Sequence, residues 1–276
     1  MNIAIIGAGN VAWHLTRALS TRHRIVQVFS RSLDNAQALA EAVQCPAATD
    51  NIGSIVSDAD AYIIMVKDDA IAEVAAQLAH INDSAIWMHT SGSCGCNALS
   101  NTATSYGVLY PLQTFSRNAT TDTSEIPLFV EANTVDALSR ISEIARCISS
   151  HIYPADSDTR RQLHIAAVFA CNFANHCYHL GYRVLEEAGI DPRCLLPLID
   201  ETAAKVHEMH PAEAQTGPAV RGDGLVLQRQ SHMLEGKPDV QRIYQELSAS
   251  IAQLQASHPH RADGHDDAHG KRQETT

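Results

Sequence analysis

The stretch from Asn2 to Ser20 restricts the fold more than any other part of the chain. Ile3 to Ile6 is a short apolar run, Gly7-Ala8-Gly9 interrupts it, and Val11, Leu15, Ala18 and Leu19 then recur at helical intervals. The pattern reads as strand, tight turn and helix, with Gly7, Gly9 and Ala12 at Gly-x-Gly-x-x-Ala spacing. Gly7 permits the turn that leaves the strand, Gly9 has no β-carbon to keep a pyrophosphate off the backbone, and Ala12 lets helix and strand approach closely. The free N–H groups and positive helix end at Asn10 and Val11 would face the phosphates of a dinucleotide. A plain strand–turn–helix whose glycines serve only packing is the competing reading.

The length of 276 residues suggests two domains or one large one. Asp and Glu outnumber Lys and Arg by 31 to 20, and no basic stripe is visible, which argues against nucleic acid and anionic membrane as partners. It does not argue against phosphates held by backbone amides. The longest apolar candidate, Ala61 to Val66, is far too short to span a bilayer. The N-terminus lacks the basic-then-apolar pattern of a signal peptide. Seven scattered cysteines fit reduced thiols better than a disulfide framework. A cytoplasmic location is the resulting expectation.

Taken in order, Arg24 to Phe29 reads as a second strand, Leu33 to Val43 as a helix, Pro46 to Ala48 as a short strand and Asn51 to Ser57 as a small helix. Ala61 to Val66 is continuously apolar, as expected of a parallel strand buried on both faces. Lys67-Asp68-Asp69 ends it, with Asp68 or Asp69 an expected N-cap for a helix over Ala70 to Leu78. Further strands are expected at Ala85 to His89, Gly107 to Tyr110, Leu128 to Val130 and His151 to Tyr153, with a helix over Asn133 to Ser149. This alternation indicates an α/β protein built on a doubly wound parallel sheet, with room for antiparallel members at its edge.

Beyond Pro154 no strand is expected. Thr159 to Ala188 reads as one long helix with Leu163, Ala166, Ala167, Ala170, Ala174, Cys177, Gly181, Val184 and Ala188 on one face, which suggests close packing against another helix. Asp191-Pro192 starts the next helix. Pro211 to Asp223 reads as a loop, and Leu225 to Leu234 and Val240 to Ala256 as closing helices. From His258 the apolar content nearly vanishes, and the composition is that of a disordered tail. The expected domains are therefore residues 1–154, 155–257 and the tail 258–276.

Several positions carry candidate chemistry. Ser30-Arg31-Ser32 falls about twenty residues past the glycines, where an NAD site usually places Asp or Glu on the ribose. A guanidinium there can pair with a 2′-phosphate, so NADP is the expected cofactor; a solvated surface Arg is the alternative. Val66 and Lys67, at the end of the central strand, and His89-Thr90-Ser91, at the end of the next, lie where open sheets bind ligands and are expected at the cofactor or substrate. His89-Thr90-Ser91 is equally a strand-end turn, and Gln113 and Thr114 stand the same way after another strand.

His164 could act as general acid or base, or be a surface or satisfied buried histidine. Asn172 and Asn175, unfavourable inside a helix, could orient a substrate or the nicotinamide amide. His89, Cys94 and Cys96 do not make the four-ligand set of structural zinc, and the tail histidines offer no preformed geometry, so no metal is expected. Arg221 could meet an anionic substrate or merely pair with Asp223.

The chain resembles a family that joins an NADP-binding Rossmann domain to an uncharacterised all-helical C-terminal domain. The resemblance rests on Gly7-Ala8-Gly9-Asn10-Val11-Ala12, His89-Thr90-Ser91-Gly92-Ser93, Tyr110-Pro111-Leu112-Gln113-Thr114-Phe115-Ser116, the helix with Asn172 and Asn175, and Gln215-Thr216-Gly217-Pro218-Ala219. More distantly, the layout is similar to pyrroline-5-carboxylate reductase, the deazaflavin-linked NADP oxidoreductases and the 6-phosphogluconate and 3-hydroxyisobutyrate dehydrogenases. The resemblance implies a C-terminal domain like that of 6-phosphogluconate dehydrogenase, NADP binding and a homodimer formed through the helical domain. In the hydroxyacid dehydrogenases a catalytic Lys lies one turn before an Asn of the long helix. Here that position is Val168, which cannot move a proton and so speaks against the hydroxyacid reaction.

These readings converge on an NADP-dependent oxidoreductase acting on an imine or carbonyl of a small metabolite. Gly7, Gly9, Asn10, Val11, Ser30, Arg31, Ser32, Val66, Lys67 and His89 are expected at the cofactor, and His164, Asn172 and Ser91 at the chemistry. Two other classes remain open: a non-catalytic NADP(H)-binding regulator or scaffold, and a structural dimer with a vestigial site.

Overall fold

The computed structural model describes residues 1–257, so the polar tail at 258–276 lies outside the described residues. The chain forms two compact units, one from Met1 to Ala174 and one beginning at Asn175. The first unit thus includes the opening turns of the long helix, not only the residues before Pro154.

The sheet of the first unit has eight strands: β1 (Asn2–Ile6), β2 (Arg24–Phe29), β3 (Ala48–Thr49), β4 (Ala61–Ile64), β5 (Ile86–His89), β6 (Tyr106–Pro111), β7 (Leu128–Ala132) and β8 (Ile152–Pro154). Their order is β3-β2-β1-β4-β5-β6-β7-β8. The β6–β7 pair is antiparallel and every other pairing is parallel. The strand order reverses between β1 and β4, which opens a crevice at their carboxyl ends.

Strand side chains alternate between faces, so the continuous apolar runs supply two cores. Ile3, Ile5, Ile63 and Met88 join the cluster on one face, and Ala4, Ile6, Tyr62, Ile64 and Trp87 join the other. Tyr62 and Trp87 stack with ring centroids 4.1 Å apart.

The helices of this unit are α1 (Asn10–Ser20), α2 (Leu33–Ala42), α3 (Ile71–Gln77), α4 (Val135–Ala145) and α5 (Ser157–Ala167). Ser32, Thr134 and Asp156 cap α2, α4 and α5 by accepting from the N–H three residues on. The expected cap at Asp68 or Asp69 is not formed. Asp68 to Ala70 is a 3-10 turn, α3 starts at Ile71 with no side-chain cap, and the Asp68 carboxylate instead accepts from the Ser93 hydroxyl. The long helix also departs from its reading. After α5, Val168 to Phe173 forms a π-helical segment before α6 (Ala174–Glu187). Such segments cluster at functional sites.

The second unit continues with α7 (Leu196–Glu208), α8 (Pro211–Ala214), α9 (Pro218–Arg221), α10 (Gly224–Met233) and α11 (Pro238–Ser257). Asp191 accepts from the Arg193 N–H and Pro192 opens the short turn before α7, as their order in the sequence predicts. The expected loop at 211–223 holds the short helices α8 and α9. Arg183 pairs with Asp239 at 3.1 Å and Lys237 with Glu187, which ties α6 to α11. Among the described residues no helix is long and apolar enough to cross a membrane.

Candidate active site

A cavity of about 520 Å3 opens at the carboxyl ends of β1, β2 and β4. Gly7, Ala8, Gly9, Ser30, Arg31, Asn35, Val66 and Lys67 are among its walls. Gly7 and Gly9 do different work. Gly7 has φ +121°, and a β-carbon on it would collide with the Met65 carbonyl, so glycine is required by the fold itself. A β-carbon on Gly9 would meet nothing within 4 Å, so this residue faces open space beside the start of α1. That is the cradle a pyrophosphate requires, and Ala12, fully buried beneath it, brings α1 onto the sheet.

The other expected cofactor residues divide. Asn10 donates from its side chain to the Phe115 carbonyl at 3.0 Å and Val11 packs on the core, and neither is among the cavity walls. Ser30 Oγ accepts from the Ser32 N–H at 3.3 Å, and Ser32 Oγ accepts from the Asn35 N–H at 3.4 Å, which makes Ser32 a cap outside the cavity wall. Arg31 and Lys67 are exposed at the wall, and no carboxylate pairs with either among the described residues.

His89 is fully buried. Its Nδ1 accepts from the Ser91 N–H at 3.2 Å, which leaves Nε2 to donate to the Gly95 carbonyl at 3.2 Å. The ring therefore shapes the loop after β5 rather than opening into the cavity. Burial drives its pKa from 6.5 down to about 4. Protonation thus favours the unfolded chain, and the stability held above pH 6.5 is lost as pH falls towards 4. The gap between these values corresponds to roughly 3 kcal/mol. Urea unfolding at several pH values should show this loss, and His89→Asn should flatten it.

Ser91 is also committed to the loop. Its Oγ accepts from the N–H groups of Ser93 at 3.1 Å and Cys94 at 2.9 Å. Cys94 and Cys96 have thiol pKa values raised by burial, Cys96 to about 11, so neither is a thiolate near neutrality. No group of three or more His, Cys, Asp or Glu side chains is gathered for a metal among the described residues.

At the end of β6, Tyr110 and His164 meet. The Tyr110 hydroxyl lies 3.1 Å from His164 Nδ1, with the rings edge to face. Both press on the backbone of Gly92, where a β-carbon would sit 2.7 Å from the phenol ring and 2.9 Å from His164 Nδ1. Gly92 is thus the residue that lets both rings reach this loop. Burial raises the Tyr110 pKa, so the phenol keeps its proton. Asn172, eight residues beyond His164, lies exposed in the π-helical segment and makes no bond to this pair. Asn175 belongs to the second unit, and Arg221 pairs with Asp223 at 2.9 Å.

Sequence reasoning missed what holds this loop. Arg160 is fully buried and donates to the carbonyls of Ser91 at 3.1 Å and Cys94 at 2.5 Å, while its other edge pairs with Glu131 on β7. It also missed Tyr110 as a site residue, because strand periodicity alone does not show which ring reaches a helix far along the chain.

Two family models match the sequence. Residues 2–86 match the coenzyme F420-dependent NADP oxidoreductases, and residues 126–251 match a domain of unknown function, DUF2520. A Bacteroides fragilis protein proposed to be an NADP oxidoreductase is 42% identical, with 91% of this chain and 98% of that one covered and a TM-score of 0.87. The chain belongs to this NADP oxidoreductase family. Family membership makes a nicotinamide nucleotide the cofactor class, in keeping with the cradle at Gly9. The family fold extends further. An imine reductase of Streptomyces aurantiacus superimposes with a TM-score of 0.62 at 14% identity, over 91% of this chain and 96% of that one. A 1-pyrroline-5-carboxylate reductase of Streptococcus pyogenes does so with 0.58 at 13% identity, over 92% and 98%. No curated protein matches the sequence.

Proposed function

We propose that the chain is an NADP-dependent reductase of a carbonyl or imine in a small metabolite. The observation that carries this reading is the cavity in which open space at Gly9 shares one wall with Arg31 and Lys67, cations that no carboxylate pairs with among the described residues. Backbone N–H groups at the start of α1 hold the pyrophosphate, and Arg31 pairs with the 2′-phosphate. The nicotinamide, when bound, supplies hydride chemistry. Tyr110 is the proton donor. With His164 Nδ1–H donating to the phenol oxygen, the phenol hydrogen is free for the substrate atom, and the resulting phenolate keeps that hydrogen bond. The fold shared with imine and pyrroline-5-carboxylate reductases supports the same reaction type.

We assign the partner as a second copy of the chain. The helices leave large apolar side chains in solvent: Phe169 is 66% exposed in the first unit and Leu198 62% in the second.

NADPH consumption against a panel of ketones, keto acids and cyclic imines tests the reading. Gly9→Ala sharpens it. The added methyl meets no protein atom within 4 Å, so the melting temperature should hold while nucleotide affinity falls by about tenfold or more. Unchanged affinity would remove the cradle, and tight NADPH binding with no turnover across the panel would favour a nucleotide-binding regulator.

A further inference from the structure

The segment from Gln113 to Asn118 follows β6 and lies across the start of α1. Three residues of that helix fasten it. Asn10 Nδ2 donates to the Phe115 carbonyl at 3.0 Å, His14 Nε2 lies 2.9 Å from the Ser116 carbonyl with its ring stacked 5.1 Å from Phe115, and Trp13 lies under Arg117. The Arg117 guanidinium carbon is 4.5 Å from the centre of the Trp13 ring. From there Nη1 reaches forward and donates to Asn35 Oδ1 at 3.1 Å.

Asn35 is the link that gives this strap a meaning. It stands in the first turn of α2 and lines the same cavity as Ser30 and Arg31. Arg117, from a distant part of the chain, is therefore tied through Asn35 to the part of the cavity wall that holds Ser30 and Arg31. Its place over Trp13 holds the guanidinium against the ring, and its bond to Asn35 uses one of five N–H donors. No carboxylate pairs with Arg117 among the described residues. A half-buried arginine held by a ring and by the amide of a cavity-wall residue, with N–H donors left over, is arranged for an anion that is not part of the protein. Asp50 and Glu73 also line the cavity, so the anion must be placed by directed bonds rather than by a general positive field.

We propose that Arg117 is a second guanidinium for the 2′-phosphomonoester of the nucleotide. Arg31 and Arg117 approach that phosphate from separate segments, and the strap couples its recognition to the turn that holds the pyrophosphate. The inference rests on the NADP reading above and adds a specificity-determining residue that lies outside the loop after β2.

Calorimetric titration with NADPH, NADH and adenosine 2′,5′-bisphosphate tests it on the wild type, Arg31→Ala, Arg117→Ala, Arg117→Gln and Arg117→Lys. Loss of charged hydrogen bonds should weaken NADPH and the bisphosphate by roughly 10- to 100-fold in Arg117→Ala and Arg117→Gln, with NADH unchanged. Arg117→Lys should recover part of the loss, since it keeps the charge without the fork. If Arg117→Ala weakens NADPH and NADH equally, the strap serves only the fold and the inference is overturned. If Arg117→Ala changes neither nucleotide while Arg31→Ala weakens NADPH alone, the inference fails and the NADP reading stands. If the wild type does not prefer NADPH and Arg31→Ala has no effect, the NADP reading fails and takes the inference with it.

Discussion

Replacing Arg160 by Ala is expected to lower the unfolding free energy of the first unit by about 3–5 kcal/mol, the usual cost of breaking a buried ion pair from one side. The side chain has no exposure, and its guanidinium serves the Ser91 carbonyl, the Cys94 carbonyl, Ser157 Oγ and the Glu131 carboxylate. Truncation leaves two loop carbonyls without their donor and a carboxylate without its cation. Glu131 retains 19% exposure, so water can reach part of it, which places the loss toward the lower end of that range. Urea unfolding monitored by far-UV circular dichroism measures the change. In a unit of this size it corresponds to a fall in melting temperature on the order of 10 °C. Arg160→Met combined with Glu131→Gln should be less harmful than Arg160→Ala alone, because no unpaired charge is left behind. A loss under about 1 kcal/mol for Arg160→Ala would mean that the pair is solvated and not what holds the loop.

The difference in legibility between the sheet and this ion pair has a physical source. The apolar runs Ile3 to Ile6 and Ala61 to Ile64, and the glycines at 7 and 9, announce themselves because burial and steric demand act within a few residues of sequence. The crevice followed from them, as did the cavity walls at Arg31 and Lys67. Arg160 carries no such signal. It stands in the polar first turn of α5, beside Arg161, and the two differ only in where the fold sends them: one is fully buried on Glu131, the other is exposed and paired with Asp158. The π-helical segment at Val168 to Phe173 was invisible for a related reason. Its residues are ordinary helix residues, and the extra residue per turn is a matter of packing. The sequence leaves His89 and Ser91 equally able to face a ligand or to form a strand-end turn, because they end a strand where open sheets bind ligands. Whether such a residue looks outward or folds back onto its own loop depends on Gly95 and Arg160, which only the three-dimensional arrangement brings to it.

Tyr110→Phe should have the largest effect on turnover. The substitution removes one oxygen and keeps the ring that packs against Gly92 and lies 6.5 Å from Phe129, so the fold should be retained. Tyr110 does not line the nucleotide cavity, so NADPH affinity should stay at its wild-type value. What is lost is the proton for the oxygen of a reduced carbonyl. Removal of a positioned general acid slows such a step by about 10²- to 10⁴-fold, or roughly 3–5 kcal/mol of barrier. His164→Ala should produce a smaller loss, because the phenol remains and only its partner at 3.1 Å is gone. The pH profile follows from the direction of the Tyr110 shift. A donor loses activity as pH rises through its pKa, and burial raises that pKa, so the alkaline limb of kcat should lie above the ordinary tyrosine value of about 10. The size of the Tyr110→Phe effect also separates the two substrate types. A cyclic imine that arrives already protonated yields an amine on accepting hydride and asks nothing of Tyr110, whereas a ketone yields an alkoxide and needs the phenol. A large loss on ketones with near-normal turnover of imines would place Tyr110 at the reacting oxygen. Retention of kcat within about threefold on a ketone that the wild type reduces would rule out Tyr110 as the acid.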